Sequence, residues 1–320
     1  MPRVFSGIQP SGEMHLGNYL GAVRRWVDDQ HRHDAIHCVV DLHAITVAYD
    51  PADLADRTRR TAMLLLAAGI DPERTTLFVQ SHVHAHTELT WLLNCVATYG
   101  ELRRMTQFKE KGEGQGSVSV GLLDYPVLMA ADILIYDSDV VPVGKDQKQH
   151  LEVTRDIAVK INETFGDVFK LPEPRIQSST ETVPGVDGQK MSKSYGNTID
   201  IFGEEKETRK RIMSIVTDST PVEASKDPDS STIVQLYSLF ASDEELKAMK
   251  DAFRQGGTGY GDFKKQLAGK LWEYFEPMRQ RRTQILNDSG YIDEVLKRGA
   301  NRANEIADQV MDRVRGAVGL

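Results

Sequence analysis

The stretch Arg3-Val4-Phe5-Ser6-Gly7-Ile8-Gln9-Pro10-Ser11-Gly12-Glu13-Met14-His15-Leu16-Gly17-Asn18 restricts the fold more than any other part of the chain. Arg3 to Ile8 is β-branched and aromatic, with little to solvate either face, and reads as a short buried strand. Pro10 fixes its own φ and Gly12 opens conformations closed to other residues, so Gln9 to Glu13 is a turn. From Leu16 the apolar positions Leu16, Tyr19, Leu20, Val23, Trp26 and Val27 recur at helical spacing. A strand, a polar turn and a helix open a parallel α/β sheet, and the turn falls where such sheets bind nucleotides. Amides at the helix start attract phosphate, Gly17 lets a base or ribose come close, and His15 and Asn18 bring side-chain donors. The turn matches neither the Gly-Lys-Ser/Thr phosphate loop nor Gly-x-Gly-x-x-Gly, and a helix start with an incidental histidine would look the same locally.

A second constellation lies far along the chain, at Gly188-Gln189-Lys190-Met191-Ser192-Lys193-Ser194-Tyr195-Gly196-Asn197. Two lysines three apart on a loop of small residues suit a mobile clamp on a triphosphate, although either lysine alone would read as a solvated loop. His15-Leu16-Gly17-Asn18, five residues after Pro10, resembles the HIGH signature of class I aminoacyl-tRNA synthetases. Lys190 to Ser194 is the KMSKS sequence of the same enzymes. The two occur in the right order with a βα-patterned stretch between them.

Ala35 to Leu42 reads as a buried strand running into Asp41 and His43, Asp53 to Ala68 as an amphipathic helix, and Thr75 to Gln80 as a third strand. His82, His84 and His86 alternate with no cysteine or carboxylate close enough to complete a metal set, which predicts surface or loop-packing histidines. His86 to Tyr99 is a helix with Leu89, Leu92, Leu93 and Val96 inward. Lys109 and Lys111 precede a glycine-rich hinge, where a reach into a phosphate site and a solvated helix end fit equally. Gly121 to Tyr136 is apolar nearly all round, so Asp132 is shielded from water and needs a donor or a cation. Tyr125, Met129 and Asp132 share one face of that helix; a pocket wall and an internal salt bridge both suit the pattern. Val140 to Val143 is the next strand, leading into Gly144-Lys145-Asp146-Gln147 and a helix from His150 to Ile161. After Asn197 only helical periodicity remains, over 204–215, 231–240, 243–253, 262–286 and 292–314, with Asp229-Ser230-Ser231 expected to cap the second segment. Lys206, Arg209, Lys210 and Arg211, and then Arg279, Arg281 and Arg282, form clusters that are either solvated helix faces or an RNA footprint.

At 320 residues the chain has room for a full domain and a smaller one. Cys38 and Cys95 alone build neither a disulfide framework nor a four-cysteine zinc site. With no signal-peptide pattern and no membrane-length apolar run, the cytoplasm is the expected compartment. A net charge of −8 argues against indiscriminate nucleic-acid binding, DNA included, while leaving room for a local basic patch on RNA.

The segment Val143 to Ala158, together with Ser6 to Ala22, Asp41 to Thr46, Arg104 to Lys111 and Leu122 to Ile135, resembles the tryptophanyl-tRNA synthetases of bacterial type. The resemblance runs from Val4 to about Asn197 and more loosely to the end. It implies an α/β fold, a Rossmann-like doubly wound parallel sheet with a C-terminal all-helical domain. Residues 1–197 would be the catalytic domain, with an insertion around 101–121 and the lysine loop at 188–197, and 198–320 the anticodon-binding domain. It also implies L-tryptophan and ATP with Mg2+ as substrates, tRNA(Trp) as acceptor, a homodimer, no membrane, and no metal held by the protein itself. ATP would be held by Gln9, Pro10, Ser11, Gly17, Asn18, Gly144, Lys145, Asp146, the backbone near Val183, and Lys190, Met191, Ser192, Lys193 and Ser194. Lys111, Lys190 and Lys193, with His15 and Asn18, would act on the phosphates. Tyr125 and Gln147 would take the amino-acid ammonium and carboxylate. Phe5, Gly7, His43, Met129, Val141 and Val143 would surround the indole, and Asp132 would accept its N–H. The related tyrosine enzymes carry Tyr and Gln where this chain has Phe5 and Met129, so both departures remove polar groups and favour tryptophan. A tyrosine enzyme, and a non-acylating or regulatory paralogue, are the alternatives.

Overall fold

Five parallel strands form one sheet in the order β3-β2-β1-β4-β5: β1 Arg3–Ile8, β2 Asp34–Val39, β3 Thr76–Val79, β4 Val140–Val143 and β5 Glu173–Ile176. The structure is a computed structural model that describes every residue except 107, 110–117, 145–146 and 177–182. Register is set across β1 and β2 by Phe5 opposite Ile36 and Gly7 opposite Cys38, and β4 joins the other side of β1 at Val4 opposite Val140. The sheet is wound outward in both directions from β1, so the strand order reverses between β1 and β4. Doubly wound sheets open a crevice at such a point, beyond the carboxyl ends of the strands.

The first helical stretch runs on from α1 (Leu16–Asn18) through a π-helical turn at Tyr19–Val23 into α2 (Arg24–Asp29), longer than the apolar spacing alone defines. A short α3 (Asp41–Ala44) follows β2, so the strand expected to continue to Leu42 stops at Val39. Asp50 caps α4 (Pro51–Ala68), accepting from the Ala52 amide, and Gly69 closes it with φ +119°. The helix expected from His86 to Tyr99 divides into α5 (Ala85–Asn94) and α6 (Tyr99–Leu102), because the Thr98–Glu101 capping box starts a new turn. Then come α7 (Val120–Leu134) and α8 (Lys148–Phe165). Strand β5 has no counterpart in the sequence reading. It is a mostly exposed edge containing Pro174, with none of the apolar run that marks a central strand.

Beyond Asn197 the chain is helical, with α9 (Glu205–Met213), α10 (Thr232–Ser238), α11 (Asp243–Gln255), α12 (Tyr260–Asn287) and α13 (Tyr291–Val318). Ser231 stands at the N-cap of α10, but its hydroxyl makes no capping bond. These helices share their apolar core with the sheet. One apolar cluster joins Leu16, Trp26, Leu65 and Leu77 to Phe202, Ile212, Phe253, Phe263 and Leu271. The small residues Ala300, Ala303 and Ala307 of α13 pack in the cluster that holds Phe5, Ile36 and Phe78. The helix lies so close to β3 that a Cβ on Gly299 would sit 1.8 Å from the Leu77 carbonyl oxygen.

Candidate active site

A cavity of about 340 Å³ opens at the strand-order reversal, beyond the carboxyl ends of β1 and β4. Phe5 and Gly7 reach it from β1, Val141 and Val143 from β4, and Tyr125, Met129 and Asp132 from α7, with His43 and Gln147 closing the sides. The sequence pattern on α7 thus forms a wall, and the residues expected around an indole line a single space. A Cβ at Gly7 would meet Val40 Cγ1 at 3.0 Å, so a larger residue there would have to displace Val40. Tyr125 Oη lies 2.8 Å from His150 Nε2. Burial pushes the Tyr125 phenol up to about 12, so it stays protonated.

Asp132 is 1% exposed and is held by three side-chain donors. Its Oδ1 accepts from Gln80 Nε2 and from His86 Nδ1, both at 2.6 Å, and its Oδ2 accepts from His43 Nε2 at 2.8 Å. Burial alone would raise this carboxyl, but the hydrogen bonds from His43 and His86 outweigh it and hold the group well below the usual carboxylate range. An ionised carboxylate only accepts, so each facing nitrogen carries a proton. Three of about four acceptor directions are then filled by the protein, leaving one, on Oδ2, beside the cavity.

His82, His84 and His86 were expected at the surface or packed in a loop; the structure places His86 instead in the first turn of α5. It is fully buried, its second nitrogen Nε2 lying 2.7 Å from Tyr136 Oη, whereas His82 and His84 are exposed. Its helical phase puts it on the inward stripe with Leu89 and Leu93, three and seven residues on. That signal was present in the sequence. Gln80, buried at the end of β3, was likewise not singled out.

On the other side of Gly7 the two signature loops are tied together by backbone. Leu16 N–H donates to the Ile199 carbonyl at 2.9 Å and Ile201 N–H to the Met14 carbonyl at 3.2 Å. Gly17 N–H faces Met191 Sδ at 3.3 Å, and Asn18 N–H donates to His15 Nδ1 at 3.3 Å. The first amides of the helix, expected to face phosphate, are therefore already engaged, because the chain after the lysine loop docks against them. Side-chain donors remain. Since His15 Nδ1 accepts, the proton of its neutral ring is on Nε2, and Asn18, whose Oδ1 accepts from the His15 amide, keeps its Nδ2 hydrogens. Burial, and then the Lys193 charge, lower His15 to about 4, with Glu13 acting the other way.

Lys190, Lys193 and Ser194 are exposed on the second loop. Lys193 Nζ lies 3.2 Å from Glu13 Oε2 and 3.3 Å from the Ser11 carbonyl oxygen, across the first loop. Asn197 staples the loop. Its Nδ2 donates to Asp187 Oδ1 at 2.8 Å and to the Lys190 carbonyl at 3.0 Å, and its Oδ1 accepts from Ser192 N–H at 2.8 Å. Val183 joins at the base, its carbonyl accepting from Met191 N–H at 2.9 Å. Pro10 is buried, and Gln9 and Gly144 edge the neighbouring cavity. Lys111, Lys145 and Asp146 lie outside the described residues. Of the basic clusters, Arg279 stacks on Trp272 at 3.5 Å, Arg282 donates to the Phe202 carbonyl at 2.6 Å, and Arg211 to the Thr198 carbonyl at 2.9 Å. Arg279, Arg282 and Arg211 are therefore engaged within the protein, while Lys206, Lys210 and Arg281 of the same clusters are exposed.

The family described as tRNA synthetases class I (W and Y) matches residues 1–276. A tryptophan–tRNA ligase of Fusobacterium nucleatum is 47% identical over 321 residues, covering 100% of this chain and 98% of that one. A tryptophan–tRNA ligase of Rhodopirellula baltica is 48% identical over 318 residues, covering 99% of each. The crystal structure of tryptophanyl-tRNA synthetase from Campylobacter jejuni complexed with ADP and tryptophan superposes with a TM-score of 0.95 at 42% identity, over 99% of this chain and 100% of that one. A doubly wound sheet, both signature loops joined beside an open slot with apolar walls, and this likeness along the whole length lead to one conclusion: the chain belongs to the tryptophanyl-tRNA synthetases of class I.

Proposed function

We infer that the protein joins L-tryptophan to tRNA(Trp) in two steps. The tryptophan carboxylate attacks the α-phosphorus of Mg·ATP, forming tryptophanyl-adenylate and releasing pyrophosphate. A ribose hydroxyl of the terminal adenosine of tRNA, the 2′-hydroxyl in this class, then attacks the acyl carbon and releases AMP. No side chain needs to become covalent, and rate comes from positioning and from neutralising phosphate charge. The magnesium arrives with the ATP phosphates.

The observation that carries this reading is the single acceptor direction of Asp132 at the cavity. It suits a ring with one N–H, while Phe5, Met129, Val141 and Val143 supply a flat apolar slot. Tyr125 and Gln147 suit the ammonium and carboxylate, with the Tyr125 hydroxyl placed 2.8 Å from His150 Nε2. His15, Asn18, Lys190 and Lys193, with Gln9, Ser11 and Gly144, face the ATP side, and Lys111, Lys145 and Asp146 belong to the same proposal. Pyrophosphate exchange with tryptophan and with tyrosine is the test: robust exchange with tyrosine overturns the assignment.

Residues 198–320 are proposed to meet the anticodon of the tRNA. The exposed Arg281 is the member of its cluster left to make such a contact, and Arg281→Ala should weaken tRNA charging and its salt dependence while sparing tryptophan activation. A homodimer is proposed through the face bearing Ile45, Val47, Trp91, Tyr99 and Val120. Trp91 is 70% and Val120 78% exposed there, and Ser119 Oγ donates to the Thr46 carbonyl at 3.4 Å, joining the two edges. Sedimentation of Trp91→Glu should show monomer if that face pairs. Among the described residues no helix is long and apolar enough to cross a membrane.

A further inference from the structure

We propose that His86, anchored by Tyr136, is a positioning residue that aims the Asp132 carboxylate and thereby sets the preference for a ring bearing an N–H. The proposal rests on the reading of Asp132 as the acceptor of that N–H. His86 lies in the first turn of α5, on a different element from Asp132, and is fully buried. Both ring nitrogens are committed, Nδ1 donating to Asp132 Oδ1 at 2.6 Å and Nε2 facing Tyr136 Oη at 2.7 Å. In a neutral ring the Nδ1 proton leaves Nε2 as the acceptor of the Tyr136 O–H, so the phenol fixes both the tautomer and the ring plane.

Tyr136 is itself immobilised. It is fully buried, stacks on Phe5 at 5.6 Å with 14° between the planes, and meets Phe78 edge-on at 5.7 Å. Burial holds its phenol well above its ordinary 10, so the hydroxyl keeps its proton. Phe5, an apolar wall of the cavity, and Asp132, its polar acceptor, are thus joined through Tyr136 and His86. Without His86, Gln80 alone would hold Oδ1, and the buried carboxylate would turn toward other donors or take up a proton. A protonated carboxyl can donate as well as accept, which would blur selection for an N–H.

The test is pyrophosphate exchange with tryptophan and with its benzothienyl analogue, in which sulfur replaces the ring N–H. In the wild type tryptophan is strongly preferred. His86→Leu should cut that preference by about tenfold or more, lowering kcat/KM for tryptophan while leaving the analogue's nearly unchanged. His86→Asn, which keeps an N–H donor near Asp132, should restore part of it. Tyr136→Phe retains the ring stacking and removes only the anchor, so it should cut the preference by about threefold and remains informative if His86→Leu does not fold. Equal losses for both substrates, or an unchanged preference in Tyr136→Phe, overturn the positioning role. Asp132→Ala, which removes every acceptor oxygen, separates the two ideas: if it leaves the preference intact, the acceptor reading itself is wrong whatever His86 does.

Discussion

The two sides of the site are built differently. On the amino-acid side Asp132 is buried, three of its acceptor directions are filled, and the slot stands open with its walls placed. On the side proposed to bind phosphate, Lys190 and Lys193 are exposed, and Lys193 rests on the Glu13 carboxylate and the Ser11 carbonyl. On the proposed function, one half is organised before any ligand arrives and the other is completed by it. Recognition of an uncharged ring needs a fixed acceptor, because a buried polar group that turns freely discriminates little. Charge that separates during reaction is better met by groups that tighten as it develops.

The largest effect should come from breaking the organised half. Asp132→Ala should cost roughly 2–4 kcal/mol in transition-state stabilisation of tryptophan activation, read as kcat/KM in pyrophosphate exchange, without unfolding the protein. Next is the support of the other half. Asn197→Ala removes three hydrogen bonds that hold the lysine loop, and should lower the activation rate by about 2 kcal/mol while equilibrium tryptophan binding stays as in wild type. Weakened tryptophan binding in that variant would show that the halves are not separate.

Acid should remove both together, because they share one sheet. His37 in β2 is fully buried against Trp26 at 4.9 Å, and burial lowers it from 6.5 to about 4. The unfolded chain then binds the proton first, so stability falls as pH drops from about 6.5 toward 4. Between pH 7 and pH 5 the loss is roughly 1.5 kcal/mol from this group, seen by urea unfolding at each pH. His37→Phe keeps a ring against Trp26 and should shed that share. The smallest effect belongs to Glu13→Gln, which releases Lys193 from an exposed ion pair. The activation rate should change by less than the equivalent of about 1 kcal/mol, and the change should shrink in salt.

Much of this was legible in the sequence. Strands β1 and β4 were readable to the residue because both are short apolar runs between turn residues, and α7 declared Tyr125, Met129 and Asp132 as one face. What the pattern could not show is what a polar group meets. Asp132 announced a need for donors, but Gln80 and His86 come from other elements. His86 looked like a loop residue because its neighbours alternate with it. The amides of the first helix looked open because their partners, Met191 and Ile199, are more than 170 residues away. Arg282 read as part of a basic face for the same reason, since Phe202 is 80 residues away, while Arg279 turns back onto Trp272, two turns earlier in its own helix. The close approach of α13 to β3 at Gly299 left only a trace in Ala300, Ala303 and Ala307.

Single-turnover adenylate formation, measured in parallel on Asp132→Ala and Lys193→Ala with tryptophan and ATP varied separately, tests the division between the two halves most directly. Asp132→Ala should weaken tryptophan binding even without ATP and leave ATP binding unchanged. Lys193→Ala should keep both ground-state affinities and lose rate, since its contact belongs to the separating pyrophosphate. If Lys193→Ala loses ATP affinity as much as rate, or Asp132→Ala binds tryptophan as the wild type does, the division is wrong.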